Sequence, residues 1–92
     1  MAAAQKLPVH LHTAMTGLNM AASIHVLAAI ENRGYFEADV SKHNLFRDAL
    51  VSCPFTVRED GTVVPPQGAG LGVEVDEDFL LAHPAIEGPG YA

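Results

Sequence analysis

Between Thr16 and Asn32 the chain carries a single charged side chain, Glu31, and that stretch decides most of what the rest can become. Leu18, Ala22, His25 and Ala29 form one stripe at helical spacing, and Met20, Ile24, Leu27 and Ile30 form a second beside it. A helix apolar on two adjoining stripes must be covered over most of its circumference, so it belongs inside a layered structure. Its most apolar part, Met20 to Ile30, is broken by Ser23 and His25 and is too short to cross a bilayer. Gly34 is expected to provide the left-handed stop at its C-terminal end.

Both flanks of this helix read as strands. Leu7 to His12 alternates, with Leu7, Val9 and Leu11 on one face and Pro8, His10 and His12 on the other. Tyr35 to Val40 alternates as well, placing Phe36, Ala38 and Val40 opposite Tyr35, Glu37 and Asp39. Strand, helix and strand with short joins make a βαβ unit, in which the two strands run parallel. Parallel strands occur almost only in sheets covered on both faces, and one helix cannot cover two faces and two edges. The fold expected is α/β, with further βα units completing a (β/α) TIM-type barrel around residues 1–54. Met1 to Lys6 is strong helix-forming sequence without a capping residue, as either a truncated chain or a frayed N-terminus would show.

Beyond Pro54 the character changes. Phe55-Thr56-Val57 and Thr62-Val63-Val64 flank an Asp60-Gly61 turn, a hairpin signal, and Pro65-Pro66 ends it. A glycine-rich loop follows at 67–72, then an extended Val73 to Val75. Asp76 is placed to cap a short helix through Ala82, with a polar tail from Ala85 to Ala92. A further short helix is expected at Leu45 to Leu50. Residues 55–92 hold Arg58 alone against Glu59, Asp60, Glu74, Asp76, Glu77, Asp78 and Glu87, which accounts for the net charge of −6. With no basic stripe, nucleic acid binding is not expected. The single cysteine, Cys53, excludes an internal disulfide and, with no signal peptide evident, fits the cytoplasm.

The residues able to do chemistry cluster at the strand ends. His12 lies at the C-terminal end of its strand, where barrel enzymes place their reactive groups, and an imidazole serves there as a general base near neutral pH. His10 shares its face and is a candidate for substrate binding. Glu37 faces away from the apolar side of its strand; in a barrel that is inward, where a carboxylate needs partners. Asp39 is expected to pair with Lys42. The His10-Leu11-His12 spacing is also one that holds a metal on a strand, as at the start of the amidohydrolase barrels, which keeps a metal-dependent hydrolase reading open. His25 reads as a packed, hydrogen-bonded residue. Gly68-Ala69-Gly70-Leu71-Gly72 lacks the lysine and hydroxyl residue of a phosphate loop, and Cys53 has no nearby basic residue to activate it.

Leu7-Pro8-Val9-His10-Leu11-His12, then Gly17 to Ile30, then Tyr35-Phe36-Glu37, resemble in order and spacing the mandelate racemase branch of the enolase superfamily. Asn44-Leu45-Phe46-Arg47-Asp48 fits the same branch. The close from Gly70-Leu71-Gly72 to Asp76 is similar to that of its acid-sugar dehydratases. The resemblance implies that the strands are the last two of the barrel and that residues 55–92 turn back toward a capping domain. It also implies that His12 is a base taking the proton beside a carboxylate, and that Glu37 is the acid that hydrogen-bonds the resulting enediolate. The family's Mg²⁺ is held by three carboxylates on earlier strands, none of them in this chain; its second-strand lysine and the aspartate partner of its histidine are missing too. The 92 residues alone are therefore expected to bind no metal and to be inactive. The parent is expected to be a homo-oligomer acting on a small carboxylate. A non-catalytic module that completes or caps a partner protein is the rival reading.

Overall fold

The structure, a computed structural model, describes residues 1–88. It opens with a 3-10 turn at Ala3–Gln5, closed by Lys6 in the left-handed region at φ 55°. Strand β1 is Val9–His12, helix α1 is Gly17–Ala29 and strand β2 is Arg33–Glu37. Two short helices follow, α2 at Leu45–Asp48 and α3 at Glu77–Ala82. β1 and β2 pair in parallel with α1 between them in sequence, as the alternating flanks and the apolar helix require.

α1 begins where Thr16 accepts a hydrogen bond from the Asn19 backbone N–H at 3.1 Å, satisfying one of the free donors of its first turn. Its second stripe supplies most of the core: Met20, Ile24 and Leu27 are buried, with Ala21 beside them and Leu50 and Val51 from the segment after α2, while Ile30 is half-buried. The other stripe is covered in part, with Ala22 and His25 half-buried. Leu18, Val26, Ala28 and Ala29 are exposed.

Several boundaries differ from expectation. Residues 1–6 form one 3-10 turn rather than an α-helix. α1 ends at Ala29 on an extended Ile30, so Gly34 does not stop the helix; it lies inside β2. β2 starts two residues earlier than the alternation suggested and ends at Glu37, because Asp39 turns into the following loop. There its carboxylate accepts from the Ser41 backbone N–H at 2.9 Å, the Ser41 hydroxyl at 3.0 Å and the Asn44 amide at 2.8 Å. The cation beside Asp39 is Arg47, at 3.9 Å, not Lys42.

The C-terminal segment folds back as the turn signals indicated. Val57 and Val63 form an antiparallel bridge around Asp60-Gly61, with Gly61 at φ 81°. Asp60 accepts from the hydroxyl and backbone N–H of Thr62, which holds its carboxyl below the usual range. Val75 bridges to Val51, and the Ser52 N–H donates to Glu74 O at 2.9 Å, so the chain after the glycine-rich loop lies along the chain after α2. His25 fastens that loop to α1 through a 2.8 Å hydrogen bond between Nε2 and Leu71 O, the packed role its place on an apolar helix suggested. Asp76 caps α3, and Phe79 meets Phe46 edge-on. Residues 89–92 of the expected polar tail lie outside the described residues.

Candidate functional site

β1 and β2 end side by side, and the ends carry the polar pair. In the sheet, Leu11 stands opposite Phe36 and His12 opposite Glu37. Leu11 and Phe36 are half-buried, while His12 and Glu37 lie on the exposed face with 64% and 69% of their side chains accessible. His12 Nε2 is 4.0 Å from Glu37 Oε1. Just beyond, the Thr13 N–H donates to Glu37 O at 3.2 Å and fixes the two strand ends to each other.

The loops leaving these ends are also joined. Asn44 caps α2 through the Arg47 N–H, and its amide nitrogen donates both to Met15 O, in the loop after β1, and to Asp39 in the loop after β2. Met15 has φ 83°, a conformation that L-residues adopt only when surroundings hold it. Arg47 donates from Nη1 to the carbonyls of Asp39 and Ser41, and from Nε and Nη2 to the Asp48 carboxylate. The Ser41 backbone N–H, the Asn44 amide, the Ser41 hydroxyl and the Arg47 charge together hold the Asp39 carboxyl at about 2. Asn44 and Arg47 stand out in the sequence as no more than part of a short helix, yet in the fold they join the loops of the site. Asn44 carried a readable signal as a helix cap; its contact with Met15 did not, because it depends on two loops meeting.

His10 occupies a different environment from His12. Its ring stacks on Tyr35 at a centroid distance of 5.5 Å, and Nδ1 accepts the Tyr35 backbone N–H at 2.7 Å. The two histidines therefore do not present a pair of uncommitted rings. Among the described residues, no three His, Cys, Asp or Glu side chains form a group that could hold a metal ion, so the donors present do not by themselves fit a Mg²⁺ site. The glycine-rich loop packs backbone on backbone instead of opening toward a phosphate: a Cβ on Gly72 would stand 2.6 Å from Pro66 O.

With an imidazole and a carboxylate at its adjacent C-terminal strand ends, this parallel βαβ unit places the chain in the α/β class of folds. Within it, the chain belongs to the enolase C-terminal domain-like family, whose model matches residues 1–79. It is 35% identical over 75 residues to a D-mannonate dehydratase of Caulobacter vibrioides, covering 82% of this chain and 18% of that protein. Among solved structures it is similar to a member of the enolase superfamily from Polaromonas sp. JS666, with 53% identity and a TM-score of 0.84 over 100% of this chain and 24% of that one. A candidate mandelate racemase from Bordetella bronchiseptica RB50, solved with 2-oxoglutarate and phosphate, matches at 40% identity and a TM-score of 0.81, over 96% of this chain and 23% of that one. The chain thus spans about a quarter or less of the length of these relatives. No helix of the described residues is long and apolar enough to cross a membrane.

Proposed function

We propose that the chain supplies the last two βα units of a (β/α) barrel that abstracts the proton α to a carboxylate, with His12 as the base and Glu37 as the acid. The observation that carries this reading is the pairing of His12 and Glu37 on one face, 4.0 Å apart, at the C-terminal strand ends. Both groups can reach a small acid seated over that edge. The His12 imidazole takes the α-proton, and the C–H electron pair moves into the carboxylate to form an enediolate. As the acid of the pair, Glu37 donates a hydrogen bond to a carboxylate oxygen as charge grows on it. In dehydration the electron pair returns to form a C=C bond, the β C–O bond breaks, and the hydroxyl leaves as water with the proton that His12 took. In racemisation a second acid, held elsewhere in the parent, delivers a proton to the opposite face while His12 keeps the one it took. The Mg²⁺ that the resemblance implies would be held elsewhere in the parent. The exposed stripe of α1 is suited to contact further parts of such a barrel, and the similarity to the Caulobacter dehydratase favours acid sugars as substrates.

The test is a chimera in which residues 1–79 replace the matching part of the Caulobacter dehydratase, assayed for loss of water from D-mannonate and other acid sugars and for α-proton exchange in D₂O. His12→Asn and Glu37→Gln should each lower kcat by roughly 10²–10⁴-fold with an unchanged circular dichroism spectrum. An active chimera indifferent to both substitutions would refute the proposal.

A further inference from the structure

The pairing of His12 with Glu37 depends on an irregularity upstream. β1 and β2 start in register with Val9 opposite Arg33, yet two residues later Leu11 stands opposite Phe36, three residues on. β2 therefore carries one extra residue within Gly34-Tyr35. A regular ladder from Val9 and Arg33 would set Leu11 opposite Tyr35 and His12 opposite Phe36. Side chains alternate at every residue, so Glu37 would then point to the helix side and the phenyl ring would stand beside the imidazole. The bulge is what turns Glu37 to the face of His12.

A bulge leaves backbone groups without ladder partners and needs room for the displaced chain. Both needs are met by one pair of residues. The Tyr35 N–H donates to His10 Nδ1 at 2.7 Å, so a side-chain nitrogen takes the place of a backbone carbonyl. The His10 ring lies over Gly34 so closely that a Cβ there would fall within the imidazole. Gly34 is not in the left-handed region; its missing side chain serves close approach rather than an unusual φ. Because Nδ1 is an acceptor, the neutral ring carries its proton on Nε2.

We propose that His10 and Gly34 are positioning residues that hold the β2 bulge and thereby place Glu37 beside His12. This deepens the reading of His12 and Glu37 as base and acid and rests on it for its catalytic consequence, though the geometric claim stands apart. The ring fills the space above Gly34 and the nitrogen satisfies Tyr35; of the two, the acceptor for the Tyr35 N–H is the part the bulge cannot do without.

Crystal structures and kinetics of the chimera with His10→Phe and His10→Asn test this. Phenylalanine fills the space without an acceptor; asparagine offers an amide oxygen to the Tyr35 N–H. His10→Phe should lose the pairing of Leu11 with Phe36 and lower kcat by roughly 10²-fold with KM little changed, the scale of an ångström-sized misplacement. His10→Asn should keep the register and recover most of the rate. An unaltered register in His10→Phe overturns the proposal. A shifted register with unchanged turnover leaves the bulge device intact and refutes the roles of His12 and Glu37 instead. Should His10→Phe not fold, ¹⁵N-histidine spectra of the unsubstituted protein at neutral pH decide the matter: a bare Nδ1 with a protonated Nε2 is expected, and a protonated Nδ1 is incompatible with the device.

Discussion

The Asn44 amide nitrogen stands 2.8 Å from the Asp39 carboxylate while also donating to Met15 O, so one side chain ties the loops that leave the strand ends carrying His12 and Glu37. The carboxylate end of this tie is sensitive to acid. Asp39 has its pKa lowered from 3.8 to about 2, first by the Ser41 N–H and then by Asn44. A group whose folded pKa is depressed contributes stability that is complete above its unfolded pKa and is lost as pH falls through the folded one. The tie should weaken between pH about 4 and 2. Asp48 and Asp60 are lowered in the same direction, so Asp39→Asn should reduce the acid slope without removing it, and should lower the melting temperature at pH 7. Melting curves from pH 7 to 2 measure this; equal slopes in both proteins would count against the tie.

Gly17, the first residue of α1, is required by packing. A Cβ there would stand 2.6 Å from Arg47 O and 2.6 Å from Val51 Cγ2, and a backbone carbonyl at a helix end cannot swing aside as a side-chain tip can. Gly17→Ala favours the helix by propensity, by up to about 1 kcal/mol. Overpacking costs about 1–3 kcal/mol. The net expectation is destabilisation, read as a lower apparent melting temperature in the chimera. A raised melting temperature would mean that α1 can move away from α2 at little cost.

The contrast between Glu37 and Gly34 shows how far the sequence was legible. Alternation along 35–40 put Glu37 opposite Phe36, and the structure agrees, because residues two apart share a face whatever the register. Gly34 was misread as a helix stop because its position two residues before Phe36 signals nothing of the His10 ring above it. The parallel pairing followed from the apolar helix between two alternating stretches, a local pattern. The bulge and the double contact of Asn44 arise only when distant segments meet, and they carry no period. Asp39 was assigned to the cation three residues away, when the backbone turn brought Arg47 to it instead. The resemblance in the motif order reached the family, which the match over residues 1–79 bears out.

Thr13, next to His12, is 1% exposed, and its hydroxyl has no hydrogen-bond partner. An unsatisfied buried hydroxyl costs about 1–3 kcal/mol, and valine has the same shape without the polar atom. Thr13→Val should therefore raise stability by about 1 kcal/mol, whereas Thr13→Ser, which keeps the hydroxyl and removes a methyl, should lower it. Apparent melting temperatures of the two variants in the chimera give the comparison. A loss of stability in Thr13→Val would show that the hydroxyl has a partner outside this chain.

The surface of the 92 residues themselves predicts how they behave alone. Tyr35, Val40, Leu81 and Ile86 are each at least 80% exposed, and Leu7 and Val26 at least half. Among the described residues the sheet has two strands, so each also offers an unpaired edge to whatever meets it. Exposed edges and apolar side chains together favour association over a monomer with one packed face. The isolated chain should therefore bind a hydrophobic dye, elute larger than its 9.7 kDa and turn over no acid sugar with or without added Mg²⁺. Supplying the other three quarters of the Polaromonas relative in trans should suppress dye binding by covering the same surface. A monodisperse monomer that melts cooperatively and ignores the dye would mean that the exposed stripe of α1 needs no cover, and the barrel reading would lose its physical basis.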